Sequence, residues 1–411
     1  MQRVFNSKNK RDLFSRRGFI TALALAGSYS ASALSGCTTT PEQDASSEHV
    51  DTTASQDPPS VDEQIEQILS SLPLEQKVSQ LFIVAPEALV ENNPVVAAGE
   101  ATEQAFHNRP VGGICYFAQN LENPDQTKEM LANVATFSEE VVGIPPFLAV
   151  DEEGGTVTRI ASNPNYGVSD VGDMCAIGAA GDTQAAWDAA AYIGNYLRDL
   201  GFNLDFAPVA DIANNPESTT MAKRSFGASA DIVSSMTQAA VEGFLSTGIL
   251  CSAKHFPGIG GAVGDSHTDT IVSNKTADEM AEEELLPFKA AIAAGVPFIM
   301  VGHLSCPAIT GDNTPASLST VVIQDLLRTQ LGFDGIVITD SLGMGAVTSI
   351  CTPQEIGVRA LNAGNDMILM PEDFEAAYQG VLSALSDGSV TEERINQSLR
   401  RILRVKLTLE Q

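Results

Sequence analysis

An α/β fold, a single (β/α)8 barrel of the TIM type, is what this sequence predicts, and three observations carry the prediction. Eight short apolar runs recur along the chain, each followed by a stretch with helical spacing. The runs are continuous rather than alternating, as strands buried on both faces of a parallel sheet are. Ionisable residues gather just after the runs, where the C-terminal rim of such a barrel would lie.

Taken in order, residues 1–37 read as an export signal. Ser15-Arg16-Arg17-Gly18-Phe19-Ile20 has the twin-arginine form, and an apolar stretch covers 20–33. Leu34-Ser35-Gly36-Cys37 resembles the bacterial lipoprotein box, which would mark Cys37 for lipidation and anchor the chain to the outer face of the cell membrane. Residues 38–60, rich in Thr, Ser, Asp, Gln and Pro, are expected to be a disordered acidic tether, because they cannot bury enough apolar surface to offset chain entropy. The folded domain is expected over 61–411. Residues 61–72 carry Ile65, Ile68, Leu69 and Leu72 at helical spacing, Pro73 ends that helix, and 74–78 restarts one. Strands are expected at 81–84, 112–117, 146–150, 202–209, 249–253, 297–301, 335–339 and 366–370, with helices at 185–200, 232–247, 277–294, 321–331 and 353–363. Right-handed crossovers put the helices outside the barrel. An open doubly wound sheet is the competing arrangement, but no G-x-G-x-x-G follows the first strand and there is no P-loop.

The formal charge of −29 belongs wholly to the domain, since six Lys/Arg and one Asp in 1–37 cancel five Asp/Glu in 38–60. Such a surface repels nucleic acid and anionic headgroups, so membrane contact is expected only through Cys37. Cys115, Cys175, Cys251, Cys306 and Cys351 form no C-x-x-C pair and read as buried free thiols, with a disulfide left open. No His/Cys cluster has structural-zinc spacing, and neither metal nor cofactor is expected. A monomer is expected.

The chemistry concentrates on Lys254-His255-Phe256-Pro257-Gly258-Ile259-Gly260-Gly261-Ala262-Val263-Gly264-Asp265-Ser266-His267, a glycine-rich stretch leaving an apolar run. His267 can act as a tuned acid and base if Asp265 bonds one ring nitrogen. Asp340 emerges from the run 335–339 among small residues, which suits a nucleophile or electrostatic stabiliser as well as a helix cap. A carboxylate nucleophile with a separate proton donor is the retaining glycosidase arrangement, a His–Asp pair standing here for the usual second carboxyl. Asp151-Glu152-Glu153-Gly154-Gly155 with Arg159 offers acceptors and a forked donor for sugar hydroxyls. Asp211 and His303 end two further runs.

Together these motifs resemble glycoside hydrolase family 3, in its single-domain β-N-acetylglucosaminidase branch, over nearly all of 61–411. Pro315-Ala316-Ser317-Leu318-Ser319 and Thr339-Asp340-Ser341-Leu342-Gly343-Met344 add to the likeness. The resemblance implies that Asp340 is the nucleophile, that His267 with Asp265 is the acid and base, and that Asp151, Arg159, Arg224, Lys254 and His255 bind a terminal N-acetylglucosamine. Arg224 enters through Arg224-Ser225-Phe226-Gly227, which matches the family motif. The implied activity is retaining, exo-acting release of β-linked N-acetylglucosamine from peptidoglycan fragments or related glycans. The β-glucosidases of the family place a carboxylate donor on a second domain, for which this chain is expected to be too short. This sequence departs from the branch at Ile259, usually His or Asp, at Glu152, often Gln, and over 215–222. The alternatives are a phosphorylase or β-glucosidase on the same fold, or a sugar-binding surface lipoprotein without catalysis.

Overall fold

The computed structural model describes residues 59–90, 93–262 and 271–409. The signal segment with Cys37, the tether up to residue 58, and Asp265 and His267 lie outside them.

Ser60 opens the domain with a capping box. Its hydroxyl accepts from the Glu63 N–H, Glu63 reaches back to the Ser60 N–H, and the helix Val61–Ser71 follows. A second short helix, Leu74–Ser79, leads into the sheet. Eight strands then follow: β1 Phe82–Val84, β2 Gly113–Tyr116, β3 Phe147–Val150, β4 Leu204–Asp205, β5 Leu250–Phe256, β6 Phe298–Val301, β7 Ile336–Thr339 and β8 Ile368–Leu369. Every neighbouring pair from β1 to β7 is parallel. β8 pairs with β1 and meets β7 through an Ile338–Met367 bridge, so the sheet closes on itself. All eight strands are where the apolar runs place them.

Helices cover the barrel, the longer ones turning an apolar face inward. The last, Glu392–Lys406, buries Ile395, Leu399, Ile402 and Leu403. The N-terminal end of the barrel is filled by Phe147 and Phe298, edge to face at 5.1 Å, with Lys406 5.1 Å over the Phe147 ring.

Three elements differ from the periodicity. The strand expected at 202–209 is two residues long, because Pro208 has no N–H for the ladder. β5 instead runs on to Phe256, with Ser252 and Lys254 donating to the carbonyls of Ala207 and Pro208. Lys254 and His255 are therefore held by a strand rather than a loop. The helix expected over 277–294 is two, Ala277–Glu282 and Leu286–Ala293, since Pro287 cannot bond the Glu283 carbonyl and opens a new first turn. The five described cysteines are free thiols, all buried except the half-buried Cys175.

Candidate active site

A cavity of about 320 Å³ opens at the C-terminal ends of the strands, lined by Asp151, Arg159, Arg224, Lys254, His255 and Asp340, with Glu153 and Ile259. Every sequence-predicted site residue of the domain that the structure describes thus faces one space.

β3 ends at Val150, and the turn after it is organised by Glu152. Its buried carboxylate accepts the N–H groups of Arg159, Ile160 and Ala161 at 2.5, 2.9 and 2.8 Å, and the Tyr196 hydroxyl at 2.8 Å. Its own N–H donates to Asp205, whose enclosed carboxyl is pushed well above the ordinary range by burial. Glu152 is therefore a bracket that folds the loop and delivers Asp151 and Arg159 to the cavity. Arg159 lies 4.0 Å from Asp151 and 5.8 Å from the Phe117 ring centre, which leaves its fork directed at the open space.

Behind Asp151 lies a lattice of alternating charge. Lys254 Nζ donates to Asp151 Oδ1 at 2.6 Å and sits 2.7 Å from Glu153 Oε1. Arg224 donates through Nε and Nη2 to the two oxygens of Glu153, both at 2.7 Å. Burial raises the Glu153 carboxyl, but Lys254 and Arg224 outweigh it and hold it at about 2. Burial lowers the Lys254 ammonium, yet Asp151 and Glu153 outweigh it, so its pKa lies above the ordinary value. Both groups stay charged and fixed.

His255 Nδ1 lies 2.7 Å from Asp211 Oδ2, and the same carboxylate accepts the Ile259 N–H at 2.6 Å. His255 Nε2 faces Arg224 Nη2 at 3.4 Å. At the end of β7, Asp340 accepts the Ser341 N–H at 2.7 Å. Burial would raise its carboxyl; the neighbouring His255 and His303 rings, that N–H and Lys254 together lower it below the ordinary value. The result is an ionised carboxylate beside the cavity, as an attacking oxygen requires. His303 is oriented by Ser317, 2.7 Å from Nδ1, and by the Ser341 carbonyl, 2.9 Å from Nε2.

The structure gives Glu153, Asp211, His303 and Ser317, all noted in the sequence, the contacts by which they orient the site. For Glu153, Asp211 and His303 the signal in the sequence is position at or after a strand end; Ser317 shows only within Pro315-Ala316-Ser317-Leu318-Ser319. Asp265 and His267 fall outside the described residues. Among those described, no cluster of His, Cys, Asp or Glu has the form of a metal site.

Comparison with known proteins gives one family. The model of the glycosyl hydrolase family 3 N-terminal domain matches residues 73–405. Beta-hexosaminidase A of Pseudoalteromonas piscicida is 32% identical over 73% of this chain and 54% of its own length. A beta-hexosaminidase of Stenotrophomonas maltophilia is 33% identical over 70% of this chain and 85% of its own. The structure of a family 3 beta-N-acetylglucosaminidase from Paenibacillus sp. superposes with a TM-score of 0.77 at 38% identity, over 83% of this chain and 63% of that one. The match thus spans about half of the Pseudoalteromonas protein and a larger share of the others.

Proposed function

The chain belongs to glycosyl hydrolase family 3, and on that premise we propose that it is a retaining exo-β-N-acetylglucosaminidase acting on peptidoglycan fragments or related glycans. The observation that carries the reading is the placement of a depressed-pKa Asp340 in one cavity with the Asp151–Lys254–Glu153–Arg224 lattice. The lattice presents a carboxylate and two cations at fixed positions, which is what recognition of a sugar's hydroxyls requires. The names of the relatives support N-acetylhexosaminide as the substrate class.

In the proposed reaction an Asp340 oxygen attacks the anomeric carbon as its bond to the leaving oxygen breaks. His267, held by Asp265, gives that oxygen a proton. The same histidine then takes a proton from water, whose oxygen displaces Asp340 and restores the β configuration.

The test is release of nitrophenol from the β-N-acetylglucosaminide and from the β-glucoside, with and without added phosphate. Turnover of the first alone, indifferent to phosphate, is expected. Asp340→Ala should lower it by roughly 10⁴-fold or more. A sugar phosphate product, or full activity of Asp340→Ala, would overturn the reading.

The proposal extends to location: a monomer anchored at Cys37 to the outer face of the cell membrane, supported by Ser15-Arg16-Arg17-Gly18-Phe19-Ile20 and Leu34-Ser35-Gly36-Cys37. Among the described residues no helix is long and apolar enough to cross a membrane. Cys37→Ala should move the protein from the membrane fraction to the soluble one.

A further inference from the structure

Met370, the residue after β8, is half-buried and lines the sugar cavity. Its φ is 41°, and among the described residues it is the only non-glycine residue in the left-handed region. That conformation is unfavourable for any side chain with a Cβ. Pro371 follows, and a residue before proline prefers extended backbone. Local preference therefore opposes this geometry twice, and the surrounding structure imposes it.

The hydrogen bonds where the barrel closes give the reason. Leu369 serves the β7 side with both groups: its N–H donates to Thr339 Oγ1 at 3.1 Å, and its carbonyl accepts the Leu342 N–H at 2.9 Å. The Met370 N–H points the other way and donates to the Ile83 carbonyl of β1 at 2.8 Å. In an extended strand the N–H and C=O of one residue serve the same neighbour. The Met370 carbonyl does not. It accepts the Gly343 N–H, on the β7 side, at 3.0 Å. The left-handed backbone turns that carbonyl across the closing strand, so that one residue ties β1 to the segment after β7.

That segment carries Asp340. The Met344 N–H donates back to the Ser341 carbonyl at 3.2 Å, which makes 341–344 a tight turn. Asp340 gives its own N–H to the Val301 carbonyl at 2.8 Å, and its carboxylate accepts the Ser341 N–H at 2.7 Å. The direction of the carboxylate therefore depends on where the turn sits. Consecutive carbonyls of Leu369 and Met370 hold the turn through Leu342 and Gly343, and Ser341 Oγ lies 3.5 Å from the Met370 carbonyl. Gly343 is exposed, so the Met370 carbonyl secures the turn at its solvent side.

We propose that Met370 is a positioning residue for the attacking carboxylate: its left-handed backbone carries a carbonyl to the Gly343 N–H and so fixes the turn from which Asp340 acts. The inference rests on the assignment of Asp340 as nucleophile. The Met370 side chain has a separate part, as wall of the cavity. Substitution at this one position separates the two. Glycine adopts the left-handed backbone freely but supplies no wall. A β-branched residue supplies a wall but resists that backbone.

The experiment measures kcat and KM of the full chain on nitrophenyl β-N-acetylglucosaminide across pH. Met370→Leu should stay within about twofold of the parent in both constants. Met370→Gly is expected to keep kcat within about threefold and to raise KM about fivefold. Met370→Val is expected to lower kcat about tenfold with KM within about twofold. It should also move the acid limb of kcat/KM to higher pH: burial raises the Asp340 carboxyl, and the Ser341 N–H is one of the groups that hold it down. Met370→Thr carries the same test if Met370→Val does not fold. Parental kcat in the β-branched variant, a fall in its kcat with the acid limb unmoved, or equal losses of kcat in Met370→Gly and Met370→Val overturns the proposal. Full activity of Asp340→Ala overturns the assignment of the nucleophile, and the proposal with it. An inactive Asp340→Ala beside a parental Met370→Val overturns the positioning role alone.

Discussion

Lys254 at the rim of the barrel and Lys406 at its floor are both enclosed, 2% and 0% exposed, and their surroundings treat them oppositely. Lys254 lies within 2.7 Å of two carboxylates and its pKa is raised. Lys406 donates to one amide oxygen, Gln80 Oε1 at 2.9 Å, and faces the Phe147 ring; burial alone brings its pKa down to about 7. Enclosure is common to both, so the difference lies in the counter-charges. A buried amine with two carboxylates keeps its proton and fixes them in return, which suits a binding surface. A buried amine with only an amide and a ring holds its proton weakly, and its place in the fold comes from packing and one hydrogen bond.

The rim should break first and furthest. Lys254→Met leaves Asp151 and Glu153 adjacent without their shared cation. Turnover is expected to fall by roughly 10²–10³-fold and stability by about 3–5 kcal/mol, read from kcat/KM and from urea unfolding. A variant as stable and as active as the parent would mean that the lattice does not organise the site.

The floor should respond in the opposite sense. The folded pKa of Lys406, about 7, lies below its ordinary 10.5. Between those values the unfolded chain binds a proton that the folded chain has lost, so this group makes stability rise with pH across that window. Below pH 7 both states are protonated and the cost of the buried charge is fully present. Lys406→Met should abolish the rise and stabilise the protein below neutral pH by up to about 3–5 kcal/mol. Urea midpoints at pH 6 and pH 9 decide it, and a parent protein with equal stability at both would remove the contrast between the two lysines.

The smallest effect sharpens the rim. Tyr196→Phe removes one of four donors to Glu152. A cost of about 1 kcal/mol is expected, with a modest rise in KM as the Asp151–Arg159 loop loosens and little change in kcat. A fall in kcat with KM unchanged would place Glu152 in the chemistry rather than in the bracket.

The barrel was legible because each strand buries both faces, and a continuous apolar run reports that locally. The runs at 81–84 and 335–339 contain β1 and β7 as observed. Boundaries were legible only where a local rule controlled them, as Pro73 does between the first two helices. The shortened β4 and the divided helix at 277–294 also follow from prolines, but apolar periodicity outweighed Pro208 and Pro287 in the reading. Asp151, Lys254, His255 and Asp340 were legible as strand-end residues, Arg159 as the forked donor after a glycine turn, and Arg224 only through a motif.

By itself the sequence determined the order of strands and helices and the rim that would carry the polar groups, because both follow from residues near one another in the chain. The tertiary structure alone decided which charges meet. Glu153 joins Lys254 and Arg224, Asp211 joins His255, and Asn215 joins Gly261, across 71 residues in the Glu153–Arg224 case and 46 in the last. A carboxylate reads alike in sequence whether it is a ligand, a bracket or a counter-ion. Its role is set by burial and by which partners barrel closure brings within hydrogen-bonding distance.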